Sequence, residues 1–186
     1  MLTTHRMRSL SVRITALAVL VGGCLAAGPA PGAPSATGST CAMSLSPLVA
    51  GQSISKARVL GCWDTVGQAE RALGIAASAL AGADSGAGLA AGQTVIGRDF
   101  SSTGFLGSQQ IWFASNTQGC SGGATYSFAM PTGFNNATRS AQGFAGCGHN
   151  THYDPPSASG LSILCASACS SMGAMDLKTS FVRWAP

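Results

Sequence analysis

The chain has 186 residues, only 9% of them charged, with 10 Lys and Arg against 6 Asp and Glu. A globular domain usually has about 25% charged residues, so this composition excludes a coiled coil, an acidic disordered tail and a polybasic nucleic-acid arm. The 25 glycines and the low charge together indicate a turn-rich, mainly β protein of one domain with a small appendage.

Residues 1–28 are predicted to be a secretory signal peptide. Arg6, Arg8 and Arg13 precede the apolar run Ile14–Val21, and small residues follow it, which is the order of regions in an export signal. The run is too short to span a bilayer. Cleavage leaves seven cations against six acids, a net charge of +1, so no nucleic-acid partner is indicated.

The segment after the apolar run allows two fates for the exported chain. Leu20–Cys24 resembles a bacterial lipobox, whose cysteine is acylated. With Cys24 lipidated, the protein is anchored to the outer face of the cell membrane; otherwise Cys24 leaves with the signal peptide and the protein is secreted. Residues 29–40, rich in Pro, Gly, Ser and Ala, are predicted to be a flexible linker.

Residues 41–93 are predicted to form a small helical appendage. Thr65–Gln68 has the pattern of a capping box, and Ala69–Ala81 follows as a helix that Gly74 weakens. The Gly- and Ala-rich stretch Gly82–Gly92 reads as a linker to the next region.

Six cysteines remain after export, which predicts three disulfides among fifteen alternative pairings. Cys41 and Cys62 flank one N-terminal segment and form a natural pair. Cys165 and Cys169 close a very short ring, which leaves Cys120–Cys147 as the third pair. No C-x-x-C occurs, so neither a zinc ribbon nor a redox motif is predicted.

Residues 94–186 are predicted to be the β domain that holds the core. Of the 12 aromatic residues, only Trp63 precedes Phe100, and aromatic side chains dominate core energetics. Turn-forming residues separate short strand candidates, a pattern typical of a sandwich. The candidates are Thr94–Ile96, Gln110–Phe113, Thr125–Phe128, Leu161–Leu164 and Phe181–Trp184.

Two patterns occur twice in this domain, in the same order. The first pattern is an aromatic residue, four residues of any type, a second aromatic residue, one further residue and a glycine. Phe100–Gly107 is a complete copy, and in the copy Tyr153–Gly160 the second aromatic is replaced by Ala158. Later, Phe134–Phe144 aligns with Met175–Trp184 if one gap is allowed. Two such units predict an internal repeat in which each half covers a face that the other cannot bury alone.

These residues resemble the motifs of the βγ-crystallin superfamily, whose Greek keys have aromatic-x4-aromatic-x-Gly at a folded hairpin. Later in each key that family has Asn/Asp-Asn/Asp-x-x-Ser/Thr-Ser. The resemblance implies a mainly β, double Greek-key βγ-crystallin-like sandwich over residues 94–186, with residues 41–93 as a disulfide-tied helical appendage. It also implies an exported, non-catalytic structural or binding module.

The second crystallin motif supplies calcium ligands in the calcium-binding members of that family. Its copies here are Asn135–Ser140 and Asp176–Phe181, where Arg139 replaces a hydroxyl and Leu177 replaces a carboxylate or amide. Calcium needs six to eight oxygens, so the resemblance implies degenerate sites: no cofactor is predicted, and the alternative is weak binding of Ca²⁺. The calcium residues it implies are Asn135, Asn136, Asp176 and Ser180.

An alternative function is inhibition of an extracellular protease. Small secreted bacterial metalloproteinase inhibitors share the crystallin-like fold and present a disulfide-bounded loop, and the stretch from Ser140 to Cys165 is similar to the one leading into it. A loop that a disulfide already holds in one conformation loses little conformational entropy on binding. The small side chains of this loop, however, provide no large hydrophobic group to fill a pocket of the protease. The inhibitory loop would be Cys165, Ala166, Ser167, Ala168 and Cys169.

No catalytic set is predicted, so the chain is interpreted as not being an enzyme. Gly119–Gly123 superficially resembles the surroundings of a serine-protease nucleophile, yet the only upstream histidine is His5. Cys147, His149, His152 and Asp154 are metal-ligand types, but alternation along a strand splits them between two faces. The sequence leaves the oligomeric state open.

Overall fold

The computed structural model describes residues 38–75, 88–89 and 92–186, and of 88–89 it describes the backbone alone. The predicted signal peptide, Cys24, nearly all of the linker 29–40 and most of Gly82–Gly92 lie outside these residues. The described part is mainly β and has one short α-helix. None of its helices has the length and apolar character needed to cross a membrane.

The elements follow one another closely, with two short 3₁₀ turns at Gly119–Gly122 and Gly173–Met175. In chain order they are β1 (Thr40–Leu45), β2 (Ala57–Trp63), α1 (Val66–Leu73), β3 (Gly88–Leu89), β4 (Gln93–Ser102), β5 (Leu106–Ala114), β6 (Tyr126–Ala129), β7 (Ser140–Gly143), β8 (His149–Tyr153), β9 (Ser162–Leu164), β10 (Ala168–Cys169) and β11 (Phe181–Ala185). All five predicted strands overlap a strand of the structure.

The strands form two sheets, and each half of the repeat contributes strands to both of them. The larger sheet has the order β10-β7-β4-β5-β1-β2, with β3 beside β4, and the smaller has the order β6-β11-β8-β9. The first half of the repeat gives β4, β5 and β7 to the larger sheet and β6 to the smaller one. The second half gives β8, β9 and β11 to the smaller sheet and β10 to the larger one. Each sheet is therefore incomplete without the other half.

The main core lies between the two sheets and is built on tryptophans. Trp112 of β5 and Trp184 of β11 are both fully buried, with ring centroids 5.0 Å apart. Alternation along β5 turns Trp112 toward this core and places Phe113 in a second cluster, together with Val66 of α1. Both faces of the larger sheet are thereby covered.

The N-terminal segment differs from the helical appendage that the sequence predicts. β1 pairs antiparallel with β2 and parallel with β5, so this hairpin extends the larger sheet. Neither strand has the alternation of apolar and polar residues that predicts a half-buried strand, because β1 is buried on both faces and β2 is an edge strand with mostly exposed side chains. Cys41 and Cys62 lie directly opposite each other in this pair.

Helix α1 begins at the predicted cap and ends earlier than predicted. The Thr65 hydroxyl accepts from the Gln68 backbone N–H (3.2 Å), while the Gln68 side chain accepts from Asp64 N–H (3.0 Å). The predicted helix Ala69–Ala81 is helical only to Leu73 within the described residues. Gly74 adopts a left-handed conformation (φ 65°) and caps the helix instead of merely weakening it.

Both copies of the hairpin motif place their glycine in a left-handed conformation. Gly107 has φ 81° and Gly160 has φ 74°. An added Cβ would lie 2.5 Å from Ser101 Oγ in the first hairpin and 2.9 Å from Pro155 Cγ in the second. Only glycine fits such positions without strain.

The three disulfides are Cys41–Cys62, Cys120–Cys147 and Cys165–Cys169, the same pairs that the sequence predicts. Because disulfides persist in oxidising compartments, they are compatible with an extracellular protein.

Candidate functional site

The two copies of the second motif lie side by side, although they are 41 residues apart in the chain. We call Phe134–Ser140 and Met175–Phe181 the paired loops; the first leads into β7 and the second into β11. Two equivalent backbone hydrogen bonds join them, from Asn136 N–H to Thr179 O (2.9 Å) and from Leu177 N–H to Thr138 O (3.2 Å). The structure therefore brings together the regions in which the sequence places the calcium residues.

The second residue of each motif copy has the same unusual backbone conformation. Asn136 and Leu177 both have φ 57°. Asparagine tolerates the left-handed region, whereas leucine rarely adopts it. Leu177 also leaves its side chain 46% exposed, so packing does not explain this strain. The loop backbone imposes the conformation even where the side chain no longer suits it.

At one end of the paired loops, two uncharged side chains form a hydrogen bond between their oxygen atoms. Ser180 Oγ donates to Asn136 Oδ1 across 3.0 Å. The neighbouring Asn135 is exposed, and none of the hydrogen bonds of the described residues involves its side chain. Three of the four predicted calcium residues therefore lie at this end, and none of them carries a charge.

At the equivalent end, an ion pair takes the place of the neutral contact. The Arg139 guanidinium donates to both carboxylate oxygens of Asp176, with Nη2–Oδ2 at 3.0 Å and Nε–Oδ1 at 3.2 Å. Asp176, the fourth predicted calcium residue, is thus engaged by an internal cation. The pair is partly open to solvent, since the two side chains are 41% and 32% exposed.

The donors of the two contacts are related by the repeat, whereas the acceptors are not, since Asp176 is the first residue of its motif copy and Asn136 is the second of its own. Arg139 and Ser180 both occupy the fifth position of their motif copies, and each reaches across to the other copy. Their backbones are also equivalent, since Arg139 N–H donates to Phe100 O and Ser180 N–H donates to Tyr153 O, both at 2.8 Å. The Arg139 side chain therefore occupies the position equivalent to the Ser180 hydroxyl.

The predicted inhibitory loop lies at the edge of the larger sheet. Ala166, Ser167 and Ala168 are exposed, whereas Cys165 is buried. Gly143 N–H donates to Ser167 O (2.8 Å), and β10 pairs with β7. The loop is therefore held by backbone hydrogen bonds as well as by its disulfide.

The predicted metal-ligand types near β8 do not converge. Cys147 is bonded to Cys120, His149 is exposed and His152 is fully buried. Within residues 38–75, 88–89 and 92–186, no three His, Cys, Asp or Glu side chains are grouped so that they could hold a metal ion.

His152 instead faces an acid that the sequence did not pair with it. Its Nε2 lies 3.6 Å from Asp99 Oδ1, and both side chains are buried between the sheets. Burial raises the pKa of Asp99 to about 7, opposed by the hydrogen bond from Trp112 Nε1, and burial lowers the pKa of His152 to about 3. The one available sequence signal is that each residue directly precedes the first aromatic of its hairpin motif.

No family model, curated protein or solved structure matches this chain.

Proposed function

We propose that the chain is an exported, non-catalytic βγ-crystallin-like module with a structural or binding role. In this proposal an internal ion pair replaces one of the calcium ions that bind the paired loops in the crystallin family. The observation on which it depends is the two-point contact between Arg139, at the position equivalent to Ser180, and Asp176, at the position equivalent to Asn135.

Two features of the fold support the double Greek-key part of the proposal. Each half of the repeat gives three strands to one sheet and one strand to the other. Each half also begins with a hairpin that needs a left-handed glycine, at Gly107 and Gly160. Both features are expected of two paired Greek keys, so they support the proposal.

The charges at the paired loops support a module that does not depend on calcium. An arginine is ionised at every physiological pH and matches a carboxylate with two parallel hydrogen bonds. Calcium affinity rises with the number of charged ligands. The Asn136–Ser180 end offers only neutral side-chain oxygens, and the other end already has its cation, so any calcium binding is weak.

Calorimetric titration of calcium into the metal-free exported chain tests the proposal. We expect no binding tighter than the millimolar range for the wild type. Arg139→Ser restores the hydroxyl of the family motif and releases Asp176, so this variant should bind calcium measurably more tightly. Arg183→Ser, which removes an exposed cation outside the paired loops, is the control and should behave like the wild type.

Micromolar calcium binding by the wild type would contradict the proposal. Equal binding by Arg139→Ser and Arg183→Ser would also contradict it, because the Arg139 guanidinium would then have no special role. Intact mass measurement of the exported chain would decide between cleavage and lipidation at Cys24.

A second candidate function is protease inhibition through Cys165–Cys169. It is supported by three exposed residues held between a disulfide and a backbone hydrogen bond, because a rigid loop loses little entropy on binding. Inhibition of thermolysin-like metalloproteinases should be measured for the wild type, for Ser167→Pro and for the control Ser159→Pro. Inhibition that Ser167→Pro alone abolishes supports this function, and absence of inhibition by the wild type rejects it.

A further inference from the structure

A groove of about 340 Å³, lined mostly by residues with polar side chains, lies on the larger sheet, away from the paired loops. We call it the basic groove. It opens on the sheet face that packs against α1. Ser44 is two residues from Ala42 along β1, and Gln93 is two residues from Val95 along β4, so each shares a sheet face with a member of the α1 cluster. Four strands or their ends contribute to its lining, which includes Ser44, Ser46, Lys56, Arg58, Gln93 and Ser115.

The groove holds two cations and lacks an acid among its lining residues. Lys56 and Arg58 are exposed and two residues apart, so they lie on the same side of the β2 edge. In the described part of the chain, the Arg139–Asp176 ion pair and the Asp99–His152 contact do not involve these cations. In a chain with only 9% charged residues, two neighbouring cations without an acid favour an anionic ligand.

Ser44 lines the groove, and its hydroxyl can donate a hydrogen bond. Gln93 Nε2 donates to Ser44 Oγ across 3.1 Å, so the Ser44 hydroxyl is left to donate its own proton elsewhere. None of the hydrogen bonds of the described residues provides an acceptor for it, and Ser44 is only 5% exposed. A buried donor of this kind is costly unless a ligand or water accepts from it.

We propose that the basic groove binds a phosphate group. A guanidinium, an ammonium and the hydroxyls of Ser44, Ser46 and Ser115 all donate hydrogen bonds, and phosphate oxygens accept them. Gln93 fixes the orientation of Ser44 before the ligand arrives. This inference rests on the proposed function only in that the module has a binding role; it uses no residue of the paired loops.

Titration with glycerol 3-phosphate, followed by amide NMR of the full exported chain at constant ionic strength, tests the groove. We expect saturable shifts at Ser44, Ser46 and Ser115 and none with glycerol. Arg58→Gln and Lys56→Gln should each weaken binding about tenfold or more, since each removes a charge-assisted hydrogen bond. Arg183→Gln, which removes an exposed cation from the smaller sheet, is the matched control and should bind like the wild type.

The source of the phosphate is decided by parallel titrations with inorganic phosphate and with vesicles of phosphatidylglycerol. Dependence on Arg58 in any one of these titrations supports the groove and identifies whether a free phosphate, a phosphorylated polyol or a lipid head group suits it. Equal affinities of Arg58→Gln and Arg183→Gln, or no saturable shift with any phosphate compound, would overturn the inference. Neither result bears on calcium binding at the paired loops.

Discussion

Asp99 and His152 contact each other across the buried interface of the two sheets, with Oδ1 and Nε2 3.6 Å apart. Asp99 belongs to β4 of the larger sheet and His152 to β8 of the smaller one. Trp112 Nε1 donates to the other carboxylate oxygen of Asp99 across 2.6 Å. The pair therefore links the sheets at a point where neither residue reaches solvent.

This pair should give the free energy of unfolding a distinctive pH profile. Folding raises the pKa of Asp99 from 3.8 to about 7, so its favourable contribution is complete below pH 3.8 and is lost as the pH rises to 7. Folding lowers the pKa of His152 from 6.5 to about 3, so its contribution is complete above pH 6.5 and is lost as the pH falls. Between pH 3.8 and 6.5, the two groups change the free energy of unfolding with pH in opposite directions.

Urea unfolding at a series of pH values checks this expectation. For the wild type, we expect a nearly flat free energy of unfolding between about pH 4 and 6.5, with a decline on either side. Asp99→Asn keeps an acceptor for Trp112 but cannot ionise, so its stability should rise with pH across that interval and should not decline near pH 7. Identical profiles for the two proteins would contradict the assignment of these groups.

The motif glycine of the first hairpin should tolerate no side chain. Gly107→Ala combines a φ of 81° with a Cβ that would lie 2.5 Å from Ser101 Oγ, and we expect it to lower the free energy of unfolding by about 2–3 kcal/mol. Gly123→Ala is a matched control, because Gly123 has φ 80° but nothing within 4 Å of the added Cβ. It should cost only about 1 kcal/mol, as measured by chemical denaturation. Equal costs would mean that crowding contributes nothing.

The disulfides should differ in their contribution to stability according to loop length. Cys165 and Cys169 are 4 positions apart in the chain, and Cys120 and Cys147 are 27 positions apart. In the chain-entropy model, removing the first bridge costs about 2 kcal/mol and removing the second about 3.5 kcal/mol. Denaturation of the double variants Cys165→Ala/Cys169→Ser and Cys120→Ala/Cys147→Ala compares them. A larger loss for the short ring would show that it does more than close a loop.

The features that could be predicted from the sequence depend on local chemistry. Gly107 and Gly160 are set by the backbone conformation of their own hairpins, and the Thr65 cap is set by residues within one helical turn. The disulfide pairs could be predicted because the spacing of the six cysteines along the chain favoured few of the possible pairings. Such features need no knowledge of which strands become neighbours.

The features that escaped prediction depend on strand order. Asp99 and His152 meet only because β4 and β8 belong to facing sheets, and Arg139 meets Asp176 only because the paired loops pack together. β2 was not predicted because an exposed edge strand lacks the alternation of apolar and polar residues by which a strand is recognised. The basic groove combines Ser44, Arg58 and Gln93, which lie on three different strands, so no local pattern could reveal it.

Thermal unfolding of the metal-free exported chain, with and without calcium, tests the central claim most directly. The claim is that the Arg139–Asp176 pair replaces a calcium ion at the paired loops. We expect the wild-type Tm to be the same in excess chelator and in millimolar calcium. Arg139→Ser should unfold about 2–4 °C lower in chelator, because a partly exposed pair contributes up to about 1 kcal/mol, and calcium should restore part of that loss. A wild-type Tm that falls on chelation would contradict the claim.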